Sequence, residues 1–469
     1  MRSFHLANFG CRASQADGSA LKRQLLEAGY QEARGLGESD VAVLNTCTVT
    51  ATADAEVRQV VRRIHRLNPR CHILVTGCYA QRAPQEIAAL DGVAWVVGNS
   101  HKHRIVDVLN SKIDGEPIVA EPHGPALAHL QRTTHHRPPT SVPGLTRQLA
   151  AQVWAGEIGP DFHYAPAFPD DRTRPTLKVQ DGCDARCAFC VIPFVRGASR
   201  SLAPDRVVSE VRELVRRGFK EVVLSGINLG SYGRDLGRTV NFQALVERIL
   251  AQTLIARVRI SSIEPMDITP SLIRLVARER RLADHFHVPL QSGSDRILRL
   301  MNRRYWTSQY SDRILAIREA VPQAGIGADV MTGFPGETRQ DHQASLEFIS
   351  RLPFTYLHIF PYSARPGTAA AARPEQVNGR VARERAHDLR AVIARKRQTF
   401  LEEQIGRTLS ALTLADKGGN SAAAITSNYL PVALPIGVLP PNTLADVEVG
   451  RVADGALYGY PARLVSTQS

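Results

Sequence analysis

The sequence has little that would tie it to a membrane or to an oxidising compartment. No apolar run among the 469 residues reaches the ~18 needed to span a bilayer. The opening Met1-Arg2-Ser3-Phe4-His5-Leu6-Ala7-Asn8-Phe9-Gly10 is too short and too soon interrupted for a secretory leader, so a cytoplasmic location is expected. The seven cysteines then stay reduced and serve as ligands rather than as disulfides. Acidic residues are in deficit, leaving a net charge of +13. Such a balance suits a polyanionic partner, with RNA the natural candidate, and equally a basic surface that is merely solvated; charge alone does not choose between them. What remains, 43% hydrophobic and 22% charged, describes a globular chain with a substantial core and room for about three domains.

What is present centres on Gln180-Asp181-Gly182-Cys183-Asp184-Ala185-Arg186-Cys187-Ala188-Phe189-Cys190, with cysteines spaced C-x3-C-x2-C. Three close thiolates in a reducing setting suggest an iron–sulfur site; a zinc knuckle with a distant fourth ligand is the alternative. Three ligands leave one iron of a four-iron cube open to a substrate or cosubstrate. The spacing resembles that of radical S-adenosylmethionine (SAM) enzymes. The resemblance implies that Cys183, Cys187 and Cys190 hold a [4Fe–4S] cluster, whose electron cleaves SAM to a 5′-deoxyadenosyl radical.

Residues 1–118 alternate strands and helices. Strands are expected at Ser3–Asn8, Val41–Asn45, His72–Thr76 and Val93–Val97, and helices near Gly18–Glu27, Asp54–Leu67 and Pro84–Leu90. Alternation of this kind implies a doubly wound parallel sheet, an α/β fold. Cys11, Cys47 and Cys78 each follow a strand, and strand carboxyl ends lie side by side in such a sheet, so a second three-cysteine site is favoured over three buried turn residues. Cys71, at the opposite end of its strand, reads as core.

Asn8-Phe9-Gly10-Cys11-Arg12-Ala13-Ser14-Gln15, Asn45-Thr46-Cys47-Thr48-Val49-Thr50 and Thr76-Gly77-Cys78-Tyr79-Ala80 resemble the amino-terminal domain of radical SAM methylthiotransferases. The resemblance implies that Cys11, Cys47 and Cys78 hold an auxiliary [4Fe–4S] cluster carrying the sulfur to be transferred. The Asn45–Thr50 run, continuing Ala51-Thr52-Ala53-Asp54 toward Arg58, is closest to the branch acting on N6-threonylcarbamoyladenosine in tRNA. The isopentenyladenosine and ribosomal-protein branches are the alternatives within the family. A non-enzymatic iron–sulfur RNA-binding regulator is the alternative outside it. The basic positions Arg58, Arg62, Arg63, His65 and Arg66 read as the wet side of an amphipathic helix rather than an RNA face.

Residues 119–173, rich in proline, histidine and glycine, read as a linker with one short helix near Leu145–Val153. Their histidines, His123, His129, His135 and His136, have no cysteine or carboxylate at ligand spacing and read as solvated. Residues 174–399 give six β/α units and a bridging helix, a partial (β/α)6 barrel with chemistry at the strand carboxyl ends. The resemblance implies SAM contacts from Ser225 and Gly226, Glu264, Gln291 and Gly333 at those ends, with Phe189 against the adenine. Residues 400–469 read as short strands of a small closed β-barrel, and Ile425-Thr426-Ser427-Asn428-Tyr429 resembles the TRAM domain of an OB-like kind. Its only aromatics in reach of a stacking row are Tyr429, Tyr458 and Tyr460, which points to grip on RNA backbone and shape. The resemblance implies a tRNA-modifying transferase that uses two [4Fe–4S] clusters and SAM, an electron donor such as a flavodoxin or ferredoxin, and a sulfur donor.

Overall fold

The computed structural model describes residues 2–35, 38–111, 151–162, 173–237, 239–415 and 421–464. Chain contacts divide it into two units. The first comprises residues 1–167, 182–198 and 363–372; the second comprises 168–181, 199–362 and 373–469.

The first unit is built on a six-stranded sheet, every neighbouring pair parallel. Its strands are β1 Ser3–Asn8, β2 Gln31–Glu32, β3 Val41–Thr46, β4 His72–Gly77, β5 Val93–Gly98 and β6 Gln152–Trp154, in the order β2-β1-β3-β4-β5-β6. β3 and β5 are buried at every residue, as a parallel sheet covered on both faces requires. Val43, Leu74, Val97 and Trp154 pack in one layer and Ala42, Leu44, Val75 and Val96 in the other. Each large side chain so buried contributes about 1.5–3 kcal/mol.

β6 departs from the expectation of a helix near Leu145–Val153. Val153 packs against one core layer and Trp154 is buried in the other, so Gln152–Trp154 completes the sheet edge beside β5. The remainder of that expected helix, and the four linker histidines, lie outside the described residues. The helices Arg12–Glu27 and Ala51–Leu67 both start earlier than expected. The second is capped by Thr50, whose side chain accepts from Ala53 N.

The second unit holds six parallel strands, β7 Thr176–Lys178, β10 Glu221–Ser225, β11 Arg257–Ile260, β12 His285–His287, β13 Gly325–Thr332 and β14 Tyr356–Pro361. They form two three-stranded sheets, β11-β10-β7 and β12-β13-β14, joined by the parallel bridge Ser262↔His287. Helices Pro204–Arg216, Phe242–Gln252, Pro270–Arg278, Thr307–Ala320 and Arg339–Arg351 return the chain between strands, giving the open partial barrel. A short antiparallel pair, β8 Gln180–Asp181 with β9 Arg200–Ser201, brackets the cysteine loop.

Helix Gly379–Glu402 leads to a closed barrel of β15 Thr408–Thr413, β16 Ala422–Thr426, β17 Pro431–Leu434, β18 Leu444–Ala453 and β19 Ala456–Leu464, in the order β15-β16-β17-β19-β18 with only β17 and β19 parallel. β17 is one strand more than the four expected; it starts on a proline just after a turn, which hides it in the sequence. Residues Thr426–Tyr429 grip the larger barrel. Arg259, fully buried, donates to Thr426 O at 3.0 Å and Ser427 O at 2.9 Å, and the Tyr429 ring lies 4.5 Å from His285. Tyr429 is thereby engaged inside the unit, whereas Tyr460 is 68% exposed.

Candidate active site

The order β2-β1-β3-β4-β5 reverses direction between β1 and β3, and in such sheets ligands sit at the carboxyl ends beside that reversal. The register Asn8↔Asn45, Asn45↔Thr76 and Thr46↔Gly77 puts the ends of β1, β3 and β4 level. Cys11, Cys47 and Cys78 follow those ends. Cys11 caps the helix Arg12–Glu27 and Cys78 opens the short helix Cys78–Arg82.

Close approach at this point depends on a missing side chain. Gly10, at φ +94°, would place a Cβ 2.4 Å from Cys47 Cβ and 2.7 Å from Cys47 Sγ. Gly77, before Cys78, also has positive φ, +99°. Each glycine turns the backbone so that the next residue starts a helix facing the crevice. The Cys47 thiol is pushed up to about 12, first by burial and then by the neighbouring Cys78 and Cys11 sulfurs. A buried thiol held protonated beside two further cysteines suits a cation among them, because metal ligation removes the proton outright. Val49 N donates to Cys47 Sγ and Asn99 Nδ2 to Cys78 Sγ, both at 3.5 Å. N–H donors of this kind tune iron–sulfur ligands.

The loop carrying Cys183, Cys187 and Cys190 belongs to the same unit. All three are partly exposed; Cys183 N donates to Gly197 O at 3.0 Å and Cys190 N to Cys187 O at 3.1 Å. The helix Ile192–Arg196 that follows packs Val191 and Val195 against Cys78, and Asn99 bridges Cys78 Sγ to Val195 O. At its end Arg196 pairs with buried Asp17 at 2.9 Å, which also takes Lys102 at 3.1 Å. Lys102 reaches on to Asn45 Oδ1, and Asn45 Nδ2 donates to Asn8 Oδ1 and Ser14 O.

The strap Ser363–Ala372 touches both cysteine loops. Arg365 pairs with Asp54 at 2.8 Å and donates to Thr48 O, and Ala370 N donates to Ala188 O at 2.8 Å. Arg82 reaches the same Asp54 and Thr48 Oγ1. Reading the sequence missed Asp17, Lys102, Arg196, Asp54 and Arg365 as supports. Pairs such as Arg365 with Asp54 stand 311 residues apart, and no local pattern announces them.

The barrel candidates lie at the strand ends as expected. Ser225 ends β10, buried, and Gly226 lies close against Gln180, whose Oε1 accepts from Asn228 N at 2.7 Å. Glu264 pairs with Arg303. Gln291 has φ +67° and is tied to β13 by N–H to Asp329 O, 2.8 Å, and by accepting from Met331 N, 2.9 Å. Non-glycine residues held there cost of order 1–3 kcal/mol and concentrate at functional sites. Gly333 sits in a turn with its N–H on Glu337 Oε2 at 2.5 Å. Phe189 is in the cysteine loop of the first unit and partly exposed.

A family model described as uncharacterized protein family UPF0004 matches residues 3–98, and one described as the radical SAM superfamily matches residues 177–349. The chain is 36% identical to the threonylcarbamoyladenosine tRNA methylthiotransferase MtaB of Aquifex aeolicus (strain VF5), over 90% of this chain and 94% of that one. It is 35% identical to the MtaB of Bacillus subtilis (strain 168), over 92% and 89%. This chain belongs to the radical SAM methylthiotransferases. It is also 31% identical, over 90% and 88%, to the tRNA-2-methylthio-N(6)-dimethylallyladenosine synthase of Pelotomaculum thermopropionicum. Its relatives nevertheless favour the MtaB branch. Among solved structures, the radical SAM methyltransferase TsrM of Kitasatospora setae is similar in fold, with TM-score 0.53 at 15% identity, over 79% of this chain and 77% of that one. Radical SAM methylthiotransferases use SAM and two [4Fe–4S] clusters. This methylthiotransferase has two cysteine triads to offer, and no helix among its described residues is long and apolar enough to cross a membrane.

Proposed function

We propose that the protein converts N6-threonylcarbamoyladenosine beside the tRNA anticodon to its 2-methylthio derivative. One observation carries this reading. The chain combines a second cysteine triad at the β1/β3 switch point with near full-length likeness to the named MtaB proteins. In this reading Cys183, Cys187 and Cys190 hold the radical-generating cluster, and Cys11, Cys47 and Cys78 hold the sulfur-bearing one. When bound, these groups and SAM supply one-electron cleavage, a hydrogen-abstracting radical and the transferred sulfur.

The protein's own residues do the positioning. Gly10 leaves the room that Cys47 occupies, and the N–H groups of Val49 and Asn99 bond to two of the sulfurs. Asp17 ties the helix opened by Cys11 to Arg196, and Arg365 ties Thr48 and Asp54 to the strap. Ser225, Gly226, Glu264, Gln291 and Gly333 are the SAM-binding positions of the barrel rim, and Phe189 packs on the adenine. The net charge of +13 serves the tRNA backbone. A flavodoxin or ferredoxin supplies electrons and a separate donor restores sulfur, both in the cytoplasm.

Mass spectrometry of tRNA nucleosides from a strain lacking the gene tests the reading. The 2-methylthio-N6-threonylcarbamoyl nucleoside should vanish and return on complementation. Loss of the isopentenyl counterpart instead would move the protein to the other tRNA branch; a methylthio group missing from a ribosomal protein would take it out of tRNA modification.

A further inference from the structure

The three strands β12, β13 and β14 carry a cluster that the proposed reaction leaves unused. Their register pairs His287 with Gly327, Gly327 with Tyr356, and Asp329 with His358, so all these residues share one face of the sheet. On that face His287 Nε2 and His358 Nδ1 each lie 3.2 Å from the same oxygen of Asp329. The three ligand atoms all fall within 4.8 Å of one another.

Two accounts compete for that spacing. Charge-assisted N–H···O bonds to a carboxylate draw in to about 2.7–2.9 Å. Ligands about 2.0–2.1 Å from a tetrahedral ion stand roughly 3.4 Å apart. At 3.2 Å both histidines are long for charge-assisted bonds but still within hydrogen-bond reach of Asp329, and the same spacing is close to that of ligands around one ion.

The surroundings match what a metal-bound histidine needs, a partner that fixes its other nitrogen. His287 Nδ1 is 3.0 Å from the Tyr356 hydroxyl, which is held in turn by His285 Nε2 at 2.7 Å. Tyr356 reaches this place because position 327 is glycine: a Cβ there would lie 1.9 Å from the ring. Glu264, whose charge also bears on this region, is neutralised by Arg303, so Asp329 is left as the net charge facing the two imidazoles. His358 is half exposed on its side chain, which leaves an approach open.

We propose that His287, Asp329 and His358 form a binding site for a single divalent transition-metal ion, separate from both cysteine triads. Two imidazoles and one carboxylate suit zinc or iron(II), with the remaining coordination positions turned to whatever enters past His358. The site goes beyond the methylthiotransferase reading and does not depend on which nucleoside is modified.

The test uses untagged holoenzyme, reconstituted anaerobically so that the cysteines are occupied by iron, then equilibrated with zinc by dialysis. The wild type should hold one zinc per chain beyond its iron. The zinc absorption edge should report nitrogen and oxygen neighbours at about 2.0–2.1 Å. D329N, on the central strand β13, and H358Q, on the edge strand β14, should each weaken zinc at least tenfold with iron content unchanged. No zinc in the wild type, zinc held by either variant as tightly as by the wild type, or sulfur neighbours at about 2.3 Å would each overturn the proposal.

Discussion

Gly10 offers a sharp perturbation of the auxiliary site. In Gly10→Ala the new Cβ would stand 2.4 Å from Cys47 Cβ and 2.7 Å from its sulfur, on a backbone at φ +94°. Strain of that backbone costs of order 1–3 kcal/mol for a non-glycine residue. The steric term weighs more for function. Restoring ordinary contact moves Cys47 by roughly 1 Å, beyond the about 0.5 Å within which a ligand constellation must be held. Cys47 is buried and directly follows the fully buried strand β3, so it cannot yield without disturbing the sheet end. The three atoms nearest a Cβ on Gly10 all belong to Cys47, so the clash falls first on this ligand. Reconstituted G10A should therefore fall from about eight irons per chain to about four and keep the spectrum of the radical-generating cluster. Iron and acid-labile sulfide assays, with circular dichroism to confirm folding, read this out. A folded variant that still binds about eight irons with the wild-type spectrum would refute the reasoning.

Asp54→Asn should destabilise the first unit by about 3–5 kcal/mol, since Arg365 and Arg82 would share a neutral amide in a buried site, and chemical denaturation followed by tryptophan fluorescence measures it. In the second unit, burial raises the Glu221 carboxyl but Arg259 and Arg257 overcome it and hold its pKa at about 2, below the ordinary 4.5. A depressed carboxylate contributes fully above pH 4.5 and loses its contribution as pH falls toward about 2. The stability gap between wild type and Glu221→Gln should thus be widest near neutrality and shrink through that window in urea melts. A gap that grows on acidification would contradict the pairing. Asp17→Asn should loosen the helix Ile192–Arg196, read as faster amide exchange at Val195 and Arg196, without loss of the sheet.

The cysteine spacing, the strand–helix alternation and the six barrel strands were legible because each is a local pattern. C-x3-C-x2-C lies within eight residues of sequence, and Val41-Ala42-Val43-Leu44 declares a buried strand by itself. β6 was not legible, since three residues beyond a proline-rich stretch earn a place in a sheet only through Val153 and Trp154 meeting a core built elsewhere. Nor was β17, masked by Pro431. No local pattern marks the strap Ser363–Ala372, whose Arg365 and Ala370 serve the cysteine loops. His287, Asp329 and His358 each look ordinary in sequence. Only the register of three strands brings them onto one oxygen.

The division of labour between the two triads is the claim on which the account rests, and Cys47→Ala tests it most directly. Given SAM, reductant and tRNA bearing N6-threonylcarbamoyladenosine, the variant should still release 5′-deoxyadenosine while forming no 2-methylthio nucleoside by mass spectrometry. Methylthiolated product from C47A at the wild-type level would contradict the account.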